Sequence, residues 1–149
     1  MLKLEIEIEW LLGNEDLAAL TKGTTGSAGF DLPAAIENNL TIEPLSYKLI
    51  PLGFKLAIPN GYEGQIRPKS GLAFKSGITV LNSPGTIDSD YRGEVKAILM
   101  NLGKNDFILN RGDRIAQLVI SAIPDVSFIK KESLHNTKRS SGGFGSTGI

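Results

Sequence analysis

Asn82 to Glu94 reads N-S-P-G-T-I-D-S-D-Y-R-G-E and lies between two apolar runs, Ile78 to Leu81 and Val95 to Met100. The flanking runs are rich in β-branched residues, whereas Pro84, Gly85, Ser89, Asp90 and Gly93 supply turn chemistry. That combination predicts two paired strands joined by a bulged polar loop. Asp88 and Asp90 stand two apart, so a strand-like course would turn both carboxylates to one side. One could then serve as a base and the other hold an arginine or turn the chain. The plainer alternative is that both aspartates only cap a tight turn.

Working outward, the surrounding chain reads as many short strands. Leu2, Leu4, Ile6 and Ile8 alternate with Lys3, Glu5, Glu7 and Glu9, which predicts an opening half-buried strand. Asn14 can cap a short helical turn through Leu17 and Leu20 that Gly23 and Gly26 stop. Apolar runs follow at Leu40 to Ile42, Tyr47 to Ile58 and Gln65 to Arg67, broken by Pro44, Pro51, Pro59-Asn60-Gly61 and Gly64. Such spacing indicates an all-β barrel or sandwich. Ser70 and Gly71 open a segment through Lys75 that can form one helical turn, with amides and a hydroxyl suited to a phosphate oxygen. Strands are expected at Val95 to Asn101, Phe107 to Leu109 and Ile115 to Ile123, with a turn at Asn110 to Asp113. The last run does not alternate cleanly, which suggests cover on both faces, as at a subunit interface. From Ser133 the composition changes: Arg139 to Gly148 holds four Gly, three Ser, one Thr, one Arg and one Phe, too little to build a core.

Composition narrows the classes further. A chain of 149 residues suits one domain. Lys plus Arg and Asp plus Glu both number 16, so no global basic field exists to hold a nucleic-acid duplex. No cysteine is present and there is one histidine, His135, which removes disulfides, thiolate chemistry and a histidine-based zinc site. The alternating N-terminus lacks the continuous apolar core of a signal peptide, and no run reaches membrane-spanning length. A cytoplasmic protein without membrane partners is expected.

Five ordered segments carry a family resemblance. Ala28 to Leu32 (A-G-F-D-L), Lys69 to Lys75 (K-S-G-L-A-F-K), the Asn82 to Glu94 stretch, Arg111 to Val119 (R-G-D-R-I-A-Q-L-V) and Arg139 to Gly148 (R-S-S-G-G-F-G-S-T-G) resemble the motifs of the homotrimeric dUTP diphosphatases, the dUTPases. The resemblance implies an all-β, jelly-roll-like barrel with one short helix, over residues 1–135. It further implies that a flexible Gly-rich lid over residues 136–149 closes on the nucleotide and that the assembly is a homotrimer with shared active sites. The implied reaction is hydrolysis of dUTP to dUMP and pyrophosphate by water attack at the α-phosphorus, assisted by Mg2+, which keeps uracil out of DNA and supplies dUMP for thymidylate synthesis.

Asp88 becomes the general base in this resemblance. Asn82, Gly85, Thr86 and Ile87 meet the base, and Tyr91 packs on the sugar. Lys69, Ser70, Gly71, Gln117 and Arg139 meet the phosphates. Phe144, Gly145, Ser146 and Thr147 belong to the lid, and Asp31 stands near the metal through water. Family members commonly have Arg-Ser-Gly where this chain has Lys69-Ser70-Gly71, with Arg67 two residues earlier, so either cation can serve the site. A dCTP deaminase is a neighbouring alternative, but Val95-Lys96-Ala97-Ile98-Leu99 lacks the glutamate that its pattern needs. A non-catalytic nucleotide-binding β-barrel is the third reading, and it requires Asp88 to be structural.

Overall fold

The computed structural model describes residues 3–17 and 19–144. Leu2 of the opening strand and Gly145, Ser146 and Thr147 of the tail therefore lie outside the described residues. The elements in order are β1 Glu7–Trp10, a single 3-10 turn at Glu15–Leu17, β2 Phe30–Pro33, β3 Leu40–Ile42, β4 Tyr47–Pro51, β5 Phe54–Ala57, β6 Tyr62–Pro68, α1 Ser70–Ser76, β7 Ile78–Val80, β8 Gly85–Ile87, β9 Lys96–Asn101, β10 Phe107–Leu109 and β11 Arg114–Ala122. The expected all-β fold with one short helix is present. Among the described residues the strands form four sheets, ordered β1-β5, β10-β3, β2-β11-β6-β8 and β4-β9-β7. Side-chain packing, not one continuous ladder, wraps these sheets around a shared core that includes Leu32, Ile50, Phe54, Leu99 and Leu109. Trp10 packs edge-on to Phe54 with ring centroids 5.2 Å apart. No helix among the described residues is long and apolar enough to cross a membrane.

The two runs flanking the Asn82 stretch do pair, with Ile78 opposite Asn101 and Val80 opposite Leu99. The stretch between them is more than a loop, because β8 leaves that sheet and pairs with β6, Gly85 opposite Ile66 and Ile87 opposite Gly64. Gly85 is buried where the two strands meet, and a Cβ there would stand 3.4 Å from the Ile66 Cβ and 3.3 Å from Asn82 Nδ2, a snug fit against both. Past β8 the Tyr91 amide donates to the Asp88 carbonyl at 3.2 Å and closes a turn. Asp90 therefore lies within a turn, not on a strand face shared with Asp88 as the spacing predicted.

Other expectations change as well: the opening strand, expected half-buried from Leu2 to Ile8, forms only over Glu7–Trp10, and Leu4 and Ile8 are exposed. α1 runs seven residues where one turn was expected, and no side chain caps it. The uneven pattern of β11 comes from its own chain: the strand is central between β2 and β6, and a bulge between Arg114 and Ala116 lets the adjacent Ile115 and Ala116 both be buried. A subunit interface is not needed to explain it.

Asn101 is fully buried and saturates itself locally. Its Nδ2 donates to Ile42 O at 2.8 Å and Asn105 O at 2.9 Å, and its Oδ1 accepts the Gly103 amide at 2.8 Å. Nearer the N-terminus, Arg111 ties the turn before β2 to the β10–β11 corner. It donates Nη2 to Asp16 Oδ1 at 2.6 Å and Nε to Asp16 Oδ2 at 3.1 Å, and it also donates to Gly13 O and Ile36 O. The hydrogen bond from Arg111 holds the Asp16 carboxyl below the usual carboxylate range.

A depressed carboxylate contributes stability that is present above its unfolded pKa and lost as pH falls through the folded one. Below about pH 4 the parent should therefore lose stability more steeply than Asp16→Asn, as read from denaturant midpoints across an acid series. Parallel curves would leave this pair without a role in acid stability.

Candidate functional site

Asn82, Gly85, Thr86, Ile87, Asp88 and Tyr91 line one cleft of about 410 Å³, walled by Leu49, Ile66, Val80 and the start of β9. The Tyr91 hydroxyl donates to Glu94 O at 3.0 Å, and this contact turns the ring along the loop. Arg92 braces the same loop by donating Nη1 to Ser89 O at 2.7 Å and to Tyr91 O at 2.9 Å. Asp88 is exposed and also lines an adjoining cleft of about 970 Å³ with Glu5, Glu7, Glu63 and Asp90. A carboxylate at this junction can accept a proton from water that reaches it on the open side.

The remaining polar residues gather on the solvent face of the β2-β11-β6-β8 sheet. Gln117 stands opposite Asp31 on one side and Arg67 on the other, and directly opposed residues share a face. Asp31 pairs with Lys69, and its Oδ2 accepts from Arg114 Nη1 at 3.2 Å. Arg67 forks onto Gln65 Oε1 from Nε at 3.0 Å and Nη2 at 2.6 Å. Both cations left open by the sequence thus lie at this end of the sheet, and Lys69 is the one held by Asp31. Gln117 Nε2 donates to Pro68 O at 2.9 Å, and Ser70 and Gly71 follow as exposed residues at the start of α1. Gly29 leaves room for the glutamine, because a Cβ there would stand 2.4 Å from Gln117 Oε1. Arg114 was not singled out by the sequence pattern. Its signal, a bulge that re-aims it, appears only once β11 is paired with β2.

One chain does not bring these two groups together. Ile87 is opposite Gly64, whereas Gln117 is opposite Arg67 and α1 begins beyond Pro68. At about 3.3 Å per residue, Asp88 and Ser70 lie beyond opposite ends of a strand segment about 13 Å long. Among the described residues the hydrogen bonds of 136–144 are local, such as Arg139 Nε to Gly142 O at 2.8 Å, and Phe144 is fully exposed. Neither Arg139 nor Phe144 lines either cleft.

Among the described residues no group of three metal-ligating side chains forms, and the Asp31 carboxylate already serves Lys69 and Arg114. This donor set does not make a self-contained cage. It fits a hard cation that arrives with phosphate oxygens, keeps its water and needs one nearby carboxylate.

A cationic platform at one end of a sheet and an aromatic-edged cleft at the other suit a ligand that is both polyanionic and planar. The comparisons place the chain within one such class: the dUTPase family model matches residues 15–148, and the chain belongs to the dUTPase family. The deoxyuridine 5'-triphosphate nucleotidohydrolase of Wolbachia pipientis wMel is 53% identical over 148 residues, covering 98% of this chain and 97% of that protein. The protein of the same name from Rickettsia bellii is 58% identical over 126 residues, covering 85% of this chain and 84% of its own. The fold is similar to that of a variant dUTPase of Staphylococcus bacteriophage 80alpha solved with dUpNHpp, at a TM-score of 0.87 and 21% identity, covering 99% of this chain and 100% of that one. A variant dUTPase from phage phi11 of S. aureus, whose structure describes coordination of a structural Mg(II) ion, aligns at a TM-score of 0.78 and 20% identity, covering 89% of this chain and 100% of that one.

The contact between Gly29 and Gln117 yields a measurable coupling. Gly29→Ala should destabilise the fold by driving the glutamine from its Pro68 contact. Adding Gln117→Ala should restore part of that loss, with an interaction energy of about 0.5–3 kcal/mol in a double-mutant cycle. Strict additivity of the two substitutions in unfolding experiments would refute the contact.

Proposed function

We propose that this chain hydrolyses dUTP to dUMP and pyrophosphate, with Asp88 as the general base. Family membership supports the reaction. The observation that carries the residue assignment is the position of Asp88, exposed at the edge of the cleft that Asn82 and Tyr91 share. The water oxygen bonds to the α-phosphorus, its proton passes to Asp88, and the α-phosphorus to bridging-oxygen bond breaks so that pyrophosphate leaves with the electron pair. Uracil lies against Asn82 and the Gly85-Thr86-Ile87 backbone, and the Tyr91 ring covers the deoxyribose, where a 2′-hydroxyl would clash.

Lys69, Ser70, Gly71 and Gln117 hold the phosphates, joined by Arg139 from the tail, so that positioning and charge neutralisation supply most of the rate. Phe144 closes over the base with Gly145, Ser146 and Thr147 as the lid of residues 136–149. Mg2+, when bound with the triphosphate, would neutralise phosphate charge, and Asp31 is the carboxylate that would reach it through water.

A nucleotide bound at Asn82 and Tyr91 lies far from the phosphate platform of its own chain, so the site is shared between copies in a homotrimer. Two features support this arrangement. The outward face of β4-β9-β7 is apolar and uncovered, with Tyr47 63%, Leu49 58% and Leu81 48% exposed beside the cleft. The solvent face of the four-stranded sheet also carries Arg67, Lys69 and Arg114 near one end and Glu63 and Asp88 towards the other. A second copy can therefore meet it with opposite charge.

Asp88→Asn should lower kcat for dUTP by about 10² to 10⁴ while nucleotide binding survives, as read by pyrophosphate release with magnesium present. Turnover at the parental rate would make Asp88 a turn residue. Shared sites have their own test, in which Asp88→Asn with an intact tail is co-refolded with a chain truncated after Lys138. Each is inactive alone, and random mixing should restore about a quarter of the sites. Mixed trimers that stay inactive would confine the tail to its own subunit.

A further inference from the structure

We propose that Arg114 is a further phosphate-binding residue of this site, engaged by Asp31 until a polyphosphate displaces the carboxylate. The inference deepens the reading of the chain as a dUTP hydrolase and rests on it. In an unbroken strand, residues three apart point to opposite faces, so Arg114 would be turned away from Gln117. The bulge changes this. Between Pro33 and Leu32 β2 advances one residue, while β11 advances two, from Arg114 to Ala116. The extra residue, Ile115, is buried, and Arg114 comes out on the same face as Gln117 and Asp31.

That face is also where Lys69 meets Asp31. Arg114 has a side chain 66% exposed and is joined there through Nη1 at 3.2 Å, while the Asp31 side chain is only 15% exposed. A guanidinium has five donors in a fixed fork, so one bond to Asp31 leaves most of the fork open to oxygens arriving from solvent. Lys69 and Arg114 share a single carboxylate charge, and Arg67 stands in the same cross-strand row as Gln117. The local balance thus favours an incoming polyanion over Asp31, which can be released without leaving either cation unpaired. An isolated exposed ion pair would contribute little to folding; a bulge that carries its arginine to the platform serves the ligand.

The test uses inorganic pyrophosphate in metal-free buffer, titrated calorimetrically into the full-length parent, Arg114→Gln, Arg114→Lys and Asp31→Asn, with dUMP as a second ligand. Arg114→Gln should weaken pyrophosphate about tenfold to a hundredfold, leave dUMP affinity unchanged, and raise KM for dUTP more than it lowers kcat. Arg114→Lys should recover part of the loss. Asp31→Asn should bind pyrophosphate more tightly than the parent, because the competing carboxylate is gone. Equal pyrophosphate affinity in parent and Arg114→Gln, with the parent still hydrolysing dUTP, overturns the assignment of Arg114 alone. Equal weakening of both ligands together with a lower unfolding midpoint makes Arg114 structural and overturns it too. Weaker binding by Asp31→Asn overturns the displacement of Asp31. A parent that hydrolyses no dUTP removes the underlying reading, and this one with it.

Discussion

The antiparallel ladder between β6 and β11, from Ala116 opposite Pro68 to Ala122 opposite Tyr62, is the contact on which the arrangement depends. β11 carries β2 on its other side, and β6 carries β8, so one ladder holds both the platform around Gln117 and the strand that leads to Asp88. The geometry of a pleated sheet then separates them. Cross-strand rows set which residues are neighbours, and the distance along the strand sets which cannot meet. The platform is assembled by a row, Asp31 to Gln117 to Arg67. The gap to Asp88 follows from the length of β6.

Outside the core the chain also leaves apolar surface open. In the β4-β9-β7 sheet Ile50, Val80 and Leu99 face the core, while Tyr47 and Leu49, together with Leu81 just past β7, face outward. Ile8 of β1 and Leu4 ahead of it are likewise exposed along an open apolar cleft of about 430 Å³ shared with Trp10, Phe30 and Leu56. Surfaces of this kind are stable in water when another surface covers them.

Much of the strand pattern could be read from the sequence. Leu40 to Ile42 and Phe107 to Leu109 are strands whose bounds the sequence marks, because turn residues bound a short apolar run on each side. The pairing of the runs around Asn82 was legible for the same reason. β8 was not, because three residues beginning with glycine and set among turn formers carry no strand signal of their own. They become a strand only by adding to the edge of β6. Nor could the bulge at Ile115 be read, since two adjacent apolar residues fit a two-sided strand equally well. Of the site, the shared cleft of Asn82, Asp88 and Tyr91 followed from their closeness in sequence. The pairing of Asp31 with Lys69 and Arg114 joins residues 38 and 83 positions apart, and ion pairs over such separations leave no local pattern.

The buried amide of Asn101 bears on the motions of the molecule. Residues 102 to 106 connect two strands on the surface, and Leu102, Lys104, Asn105 and Asp106 are exposed. A connection of this kind ordinarily opens at little free-energy cost. Here the Gly103 amide and the Asn105 carbonyl are both bound to a side chain that is itself bonded to Ile42 O inside the core. The Gly103 amide proton should therefore exchange with solvent on the timescale of global unfolding, so that a stretch lying at the surface belongs, in its fluctuations, to the interior.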